Sequence, residues 1–226
     1  LDFRGSYVPS TTTEPAYDWS HLRWIHGTPK IYPYRSEGKW LETPAHTAGG
    51  NAMANLSEDG GQSLIKNSRL AGTFTAKYNF FESLNLQAVY GAVLTNSRTR
   101  SYQRILRVYD PTDLDRVAVE SQDNFLNINN EGDQLHNLNL LLNYAKEFGD
   151  HNITFLAGGS REWFETQNDF VGTRDFLTDN IFTISAGSSN PAFWNISGGA
   201  SDWALQSVFS RLHYSFKDKY LFKTAF

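Results

Sequence analysis

Residues 138–159 read Leu-Asn-Leu-Leu-Leu-Asn-Tyr-Ala-Lys-Glu-Phe-Gly-Asp-His-Asn-Ile-Thr-Phe-Leu-Ala-Gly-Gly. Two runs in which apolar and polar residues alternate flank a tight Gly-Asp turn, and aromatic residues lie close to that turn. Alternation with a period of two is typical of a β-strand whose two faces meet different surroundings. Leu141 and Leu156 break the alternation, but the stretch as a whole predicts an antiparallel hairpin.

Similar hairpins are predicted at residues 70–94 and 208–226, and residues 1–7 are expected to be the end of a further strand, so that about seven strands are expected in all. Three short turns join strands at one end, and three long external loops, at about 8–63, 104–132 and 165–202, join them at the other. Short turns opposite long loops are typical of outer-membrane β-barrels, and a tilted membrane strand needs about 9–11 residues. The pattern therefore predicts an all-β fold, an antiparallel transmembrane β-barrel segment.

Composition agrees with this fold and excludes other classes. Of 226 residues, 40% are hydrophobic, yet 15% are aromatic, which suits strands that meet lipid on one side only. The formal net charge is −4 and no basic stripe is present, which argues against nucleic-acid binding. Cysteine is absent, so disulfides and thiolate metal sites are excluded.

Both ends of the chain lie beside strand patterns, and no signal peptide is recognisable at the start. Seven strands are also fewer than the eight of the smallest bacterial barrels. We therefore expect an internal piece of a longer protein, a wall that cannot close by itself.

Two sets of side chains are candidates for function. Tryptophans in the long loops could stack on a sugar ring or contact a lid protein, or could simply pack the loops together; they are Trp19, Trp24, Trp40, Trp194 and Trp203. Polar residues on the strands are expected to face the barrel lumen; they are Thr73, Thr75, Lys77, Asn85, Gln87, Asn137, Asn139, Asn143, Arg211 and His213. Leu138, Leu140 and Leu142 are expected to point the opposite way, towards lipid.

Two segments carry a family resemblance. Residues 143–158 resemble a barrel hairpin of the SusC/RagA-type TonB-linked outer-membrane transporters. Residues 203–221 contain Ser207-x-x-x-Arg211-x-x-Tyr214-x-x-x-Asp218-Lys219-Tyr220, a spacing similar to one in that family. The resemblance covers about residues 64–226 and is weaker before them.

The resemblance implies a barrel of 22 strands with a plug in its lumen, of which this chain is one part. It implies TonB-dependent import of large nutrients, oligosaccharides or peptides, across the bacterial outer membrane, with the loops at the cell surface. The implied partners are a SusD-type surface lipoprotein lid, the rest of the barrel, outer-membrane lipid, the cargo, and the inner-membrane TonB complex. Neither the plug nor a TonB box is visible in this chain.

Catalytic and metal motifs do not appear. No nucleophile elbow, His-Glu-x-x-His motif or Walker loop is present, so neither an enzyme nor a cofactor is expected. His21 and His26 match no compact metal site, and Asp110, Asp113 and Asp115 are expected to form a solvated turn rather than a calcium loop.

Two other functions remain open on the sequence alone. One is a soluble β-sandwich that binds carbohydrate through its Trp-rich loops. The other is a surface protein whose barrel only displays loops.

Overall fold

The computed structural model describes residues 1–16, 35–42, 51–120, 123–217 and 219–226. Most of these residues form one large antiparallel sheet of seven strands in the order β1-β4-β5-β8-β9-β10-β11. The strands are β1 (Asp2–Pro15), β4 (Gly61–Phe81), β5 (Leu84–Gln103), β8 (Phe125–Phe148), β9 (His151–Arg174), β10 (Trp194–Phe216) and β11 (Tyr220–Ala225). The predicted all-β class and antiparallel sheet are therefore confirmed.

Tight turns join three neighbouring pairs of these strands, as the sequence predicts. The turn between β8 and β9 contains Gly149 at φ +58°, a left-handed conformation that glycine adopts without steric cost. Phe148 pairs directly with His151, so the 138–159 stretch forms the expected hairpin. All three turns lie at the same end of the sheet.

The strands continue well beyond the predicted loop boundaries. The sequence predicts loops at residues 8–15, 61–63, 125–132, 165–174 and 194–202. These residues pair in the sheet instead, so the predicted loop boundaries are wrong. β8 and β9 have 24 residues each, more than twice the length that a membrane strand needs. In these outer segments both faces carry polar residues, and the apolar alternation is lost. The backbone pairing between neighbouring strands nevertheless continues through them.

The first two connecting segments share a small second sheet, which the sequence did not reveal. It has the order β2-β3-β6-β7, with β2 (Arg35–Ser36), β3 (Lys39–Leu41), β6 (Arg107–Asp110) and β7 (Asp113–Glu120). Strands β3 and β6 pair in parallel, which ties one loop to the other. Helix α1 (Ala52–Leu56) contributes Ala54 to a small core with Leu106 and Val108.

The helices among the described residues are all short. None of them has the length and the apolar character needed to cross a membrane.

The third connecting segment is fixed to the outer end of the large sheet. Phe176 and Phe182 pack with Leu126 of β8 in a second small core. The side-chain amide of Asn124 donates to the carbonyl of Phe176 at 3.0 Å and to Asp179 at 2.8 Å, and its oxygen accepts from the Phe176 amide at 2.7 Å. This loop is therefore held by specific bonds to a buried side chain.

The middle of the large sheet has no buried core in the described part of the chain. The buried apolar side chains belong to the loop segments or to the outer end of β8. Leu140, at the centre of the predicted hairpin, is 48% exposed. No second layer covers these leucines among the described residues, so the structure lacks the closed two-sheet core that a β-sandwich requires.

Candidate functional site

The ten predicted lumen residues lie on one face of the large sheet. Residues that pair across antiparallel strands share a face, and Thr73, Gly91, Asn137 and Glu162 form one such row. The alternation of side chains along each strand, with the pairing of β9 and β10, places the other eight on the same side. We call this the polar face; that it lines a lumen stays a prediction.

Hydrogen bonds link several side chains on the polar face. Asn139 donates through its amide to the side-chain oxygen of Asn137, and Asn137 donates in turn to Glu162 at 3.4 Å. Asn143 donates to Asn85 at 3.1 Å on the neighbouring strand. These two separate groups of bonds lie on three neighbouring strands, β5, β8 and β9. Glu162 was not predicted, because it lies where the sequence pattern had begun to look like a loop.

The two leucines that break the alternation belong to an apolar patch on the polar face. Leu141, Gly158 and Phe209 are partners in one row, and Leu156 lies in the next. A Cβ atom at position 158 would lie 2.6 Å from the Phe209 ring and 2.9 Å from the Leu141 side chain. The glycine is therefore needed for the ring to lie across β9.

The opposite face of the sheet, which we call the apolar face, carries Leu138, Leu140 and Leu142. We define its outer edge by following each strand from the middle of the sheet towards the long loops. The edge is the last apolar residue before a long polar side chain appears on this face: Val208 on β10, Leu138 on β8 and Leu70 on β4. Cross-strand pairing leads from Val208 to Ala76 on β4, whereas the edge on β4 is Leu70. The edge is therefore displaced by six residues along the strand over four strand steps.

This climb has a simple geometric meaning. Six residues rise about 20 Å along a strand, and four strand spacings measure about 19 Å. If this edge lies level with a membrane surface, the strands are tilted by about 45° from the membrane normal. This is close to the roughly 35–45° strand tilt of outer-membrane barrels.

Rings mark both ends of the apolar face. At the outer end the Tyr90 hydroxyl bonds to Nδ1 of His136 at 2.7 Å, and the His136 ring stacks on Trp163 with centroids 4.9 Å apart. At the turn end the Tyr214 hydroxyl bonds to Nδ1 of His151, also at 2.7 Å, and the His151 ring stacks on Phe148. Aromatic girdles of this kind flank the apolar band of barrel proteins.

The candidate tryptophans do not converge on one site. Trp19 and Trp24 lie outside the described residues. The Trp40 indole donates to Asp59 at 2.9 Å, beneath the Arg35 guanidinium, and the Trp194 indole donates to the Ser188 carbonyl at 2.7 Å. Trp203 stacks on Phe164, with centroids 6.0 Å apart, on the polar face.

The structure corrects the predicted positions of two tryptophans. Trp194 and Trp203 lie on strand β10 rather than in a loop. Their stretch of Gly, Ser and Ala carries no alternating signal, although the backbone pairs with β9 throughout. A ligand role for any of the five stays a prediction.

The acidic loop forms a turn with its own partners. The Asp110 carboxylate accepts from both the amide and the hydroxyl of Thr112, and it pairs with Arg116 at 2.5 Å. Hydrogen bonds from Thr112, helped by the Arg116 charge, hold the pKa of Asp110 below its ordinary value. The described residues contain no group of three or more His, Cys, Asp or Glu side chains arranged to hold a metal, and His21 and His26 lie outside them.

Comparison with known proteins gives a relative in sequence. The chain is 26% identical over 158 residues to TonB-dependent receptor P3 of Formosa agariphila, which covers 66% of this chain and 14% of that protein. The chain thus spans a small part of the length of its relative. No protein-family profile matches it.

Solved structures show the same fold. The chain matches the RagAB peptide transporter with a TM-score of 0.61 and 18% identity, over 80% of this chain and 19% of that one. It matches the RagAB peptide importer in the "closed-closed" state at 0.65 and 16%, and in the "open-open" state at 0.62 and 17%, each over 99% of this chain and 25% of the other.

The relatives are a receptor and transporters rather than enzymes. The sequence match and the fold match together confirm the predicted resemblance to the SusC/RagA type and the predicted location in the bacterial outer membrane.

Proposed function

We propose that this chain, as a segment of a SusC/RagA-type TonB-dependent transporter, forms part of the barrel wall and its surface loops during import of large nutrients. The observation that carries the proposal is the apolar face, whose outer edge climbs across the strands at the angle that a tilted barrel needs. A single sheet with one apolar and one polar face can separate lipid from an aqueous lumen. In this arrangement the ten polar residues line the lumen.

The whole protein then has one barrel domain of 22 strands, to which all of residues 1–226 belong, and a plug inside it. Energy for import comes from the inner-membrane TonB complex, which acts through the plug, and a SusD-type lipoprotein covers the pore as a lid. Likeness to a TonB-dependent receptor and to an importer with "open-open" and "closed-closed" states supports this scheme.

The cargo is an oligosaccharide or a peptide. Peptides have the support of the RagAB fold match, while sugar rings have the support of the stacked Phe164–Trp203 pair beside the Asn137–Glu162 bond. Amide and carboxylate groups can bind sugar hydroxyls as well as peptide groups. Among the tryptophans that the structure describes, Trp203 is the best placed for cargo, because Trp40 and Trp194 donate their indole N–H groups to Asp59 and to the Ser188 carbonyl.

The test compares the wild-type bacterium with a strain that lacks the full gene. Both strains are supplied with a mixture of oligosaccharides or a mixture of peptides as the only nutrient, and consumption is followed by mass spectrometry. We expect the deletion strain to leave one class of large molecules unused, and complementation to restore its uptake. Loss of TonB should have the same effect as loss of the gene.

Membrane fractionation supplies the control for location. The full-length protein should sediment with outer membranes and change its gel mobility on heating, as barrels do. A purely cytosolic distribution, or identical consumption by the two strains, would contradict the proposal. Uptake that persists without TonB would reject the energy-coupled mechanism.

A further inference from the structure

Four side chains form a continuous group at the outer edge of the apolar face. Tyr90, His136 and Trp163 follow one another across β5, β8 and β9, with Tyr90–His136 centroids 6.0 Å apart and nearly parallel rings. The guanidinium of Arg161 lies over the Trp163 ring, 5.4 Å from its centroid. We call this group the edge cluster.

Arg161 is the cation of the edge cluster and it is exposed. It pairs across the sheet with Leu138, the residue that marks the outer edge of the apolar face on β8. Within the described parts of the chain no carboxylate lies within ion-pair distance of its guanidinium. An arginine at the apolar boundary thus presents its hydrogen-bond donors without an acidic partner.

The height of Arg161 indicates what it meets. The long loops lie at this end of the sheet and the short turns at the other, which places the edge cluster on the cell-surface side of the bilayer. Tyrosine and tryptophan side chains settle where the hydrocarbon meets the headgroups. The Arg161 guanidinium therefore lies at the level of the outer-leaflet headgroups.

We propose that the edge cluster binds the phosphate of an outer-leaflet lipid headgroup. The planar guanidinium of Arg161 can donate two parallel hydrogen bonds to a phosphate, while the Trp163 ring holds it in place. When Nδ1 of His136 accepts a hydrogen bond from the Tyr90 hydroxyl, the ring N–H is at Nε2, which becomes a second donor. The inference rests on the proposed function, because it requires the apolar face to meet lipid.

Two carboxylates limit where the phosphate can lie. Glu165 and Asp202 are cross-strand partners on the same face, further from the membrane than Trp163. Glu165 is two residues from Trp163, about 7 Å along the strand and within the roughly 8 Å screening length at physiological salt, so its carboxylate repels a phosphate on that side of the ring. The phosphate therefore binds on the membrane side of the Trp163 ring.

The experiment uses the full-length protein in mild detergent and native mass spectrometry. The probes are bisphosphorylated lipid A, the same lipid after enzymatic removal of its phosphates, and inorganic phosphate as competitor. The wild type should prefer the phosphorylated lipid, and Arg161→Gln should bind it about fivefold more weakly, the effect of one arginine near an anionic surface. Arg161→Lys should bind with an affinity between those of the wild type and Arg161→Gln, because lysine keeps the charge but cannot donate two parallel hydrogen bonds.

The matched control is Arg69→Gln, which removes an exposed arginine from the polar face of β4. It should bind the lipid as the wild type does. Equal binding by wild type and Arg161→Gln, equal binding of the two lipids, or full displacement by inorganic phosphate would each overturn the inference. Fractionation separates the two proposals: absence from outer membranes rejects the proposed function, whereas outer-membrane location with unchanged lipid binding rejects only the lipid site.

Discussion

Replacement of Leu142 by arginine tests which face of the sheet meets lipid. Leu142 lies on the apolar face, six residues from His136 and six from Phe148, which belong to the two ring groups. At the strand tilt of a barrel this places it about 14 Å from each group, close to the middle of the bilayer. An arginine there should lower the free energy of unfolding by about 2–4 kcal/mol.

Two further variants make the prediction quantitative. Asn143→Arg introduces the same side chain one residue away on the polar face, where it loses only the 3.1 Å bond to Asn85 and should cost about 1 kcal/mol. Leu138→Arg lies at the outer edge of the apolar face and should cost about 0–1 kcal/mol. The full-length variants are folded into lipid vesicles, and the free energy of unfolding is obtained from denaturant titration followed by tryptophan fluorescence.

The outcome that refutes the reasoning is specific. If Leu142→Arg and Asn143→Arg cost the same, the two faces do not meet different surroundings. If Leu138→Arg costs as much as Leu142→Arg, the apolar face does not cross a bilayer at the proposed depth. In either case the barrel-wall proposal fails even if the protein is found in a membrane fraction.

Three other predictions concern packing, the loops and pH. Gly158→Ala should lower the melting temperature and cost about 1–3 kcal/mol, because its Cβ would lie 2.6 Å from a phenylalanine ring, whereas Gly159→Ala meets nothing closer than 3.7 Å and should be neutral; equal shifts would contradict this. Asn124→Ala should speed hydrogen exchange in residues 175–193, because three bonds to that loop are lost, while Asn180→Ala, at an exposed position, should not. The lowered pKa of Asp110 means that its contribution to the β6–β7 hairpin is complete above the ordinary pKa of 3.8 and is lost as pH falls through the lowered value; Asp110→Asn should abolish that acid-induced rise in hydrogen exchange, and an unchanged rise would rule the carboxylate out.

The sequence was sufficient for the part of the sheet that has one apolar and one polar face. There the apolar and polar sides differ sharply, so the alternation of Leu138, Leu140 and Leu142 with Asn137, Asn139 and Asn143 identifies both the strand and its two faces. The turn at Gly149 is also readable, because a left-handed backbone selects glycine. The cross-strand register then places all ten candidate residues on a common face.

The outer halves of the strands could not be predicted for a physical reason. In the proposed barrel both faces of these segments meet water beyond the bilayer, so a residue such as Asn168 or Ser201 has no reason to differ from its neighbour. Backbone hydrogen bonds extend β9 and β10 through these residues, but such bonds leave no mark in side-chain chemistry. The parallel pairing of β3 with β6 was hidden because it joins segments that are far apart in the chain.

The sequence by itself determined the period of the strands, the position of the turns, the two chemically different faces and the resemblance to a transporter family. Only the tertiary structure showed that Leu141, Gly158 and Phe209 form one patch, that Asn124 fixes the third loop, and that Arg161 reaches Trp163 at the outer edge of the apolar face. Alternation is a local property that each strand carries alone. The register, in contrast, is the choice of which residues pair across neighbouring strands. This pairing brings separate side chains together into a patch or a binding site.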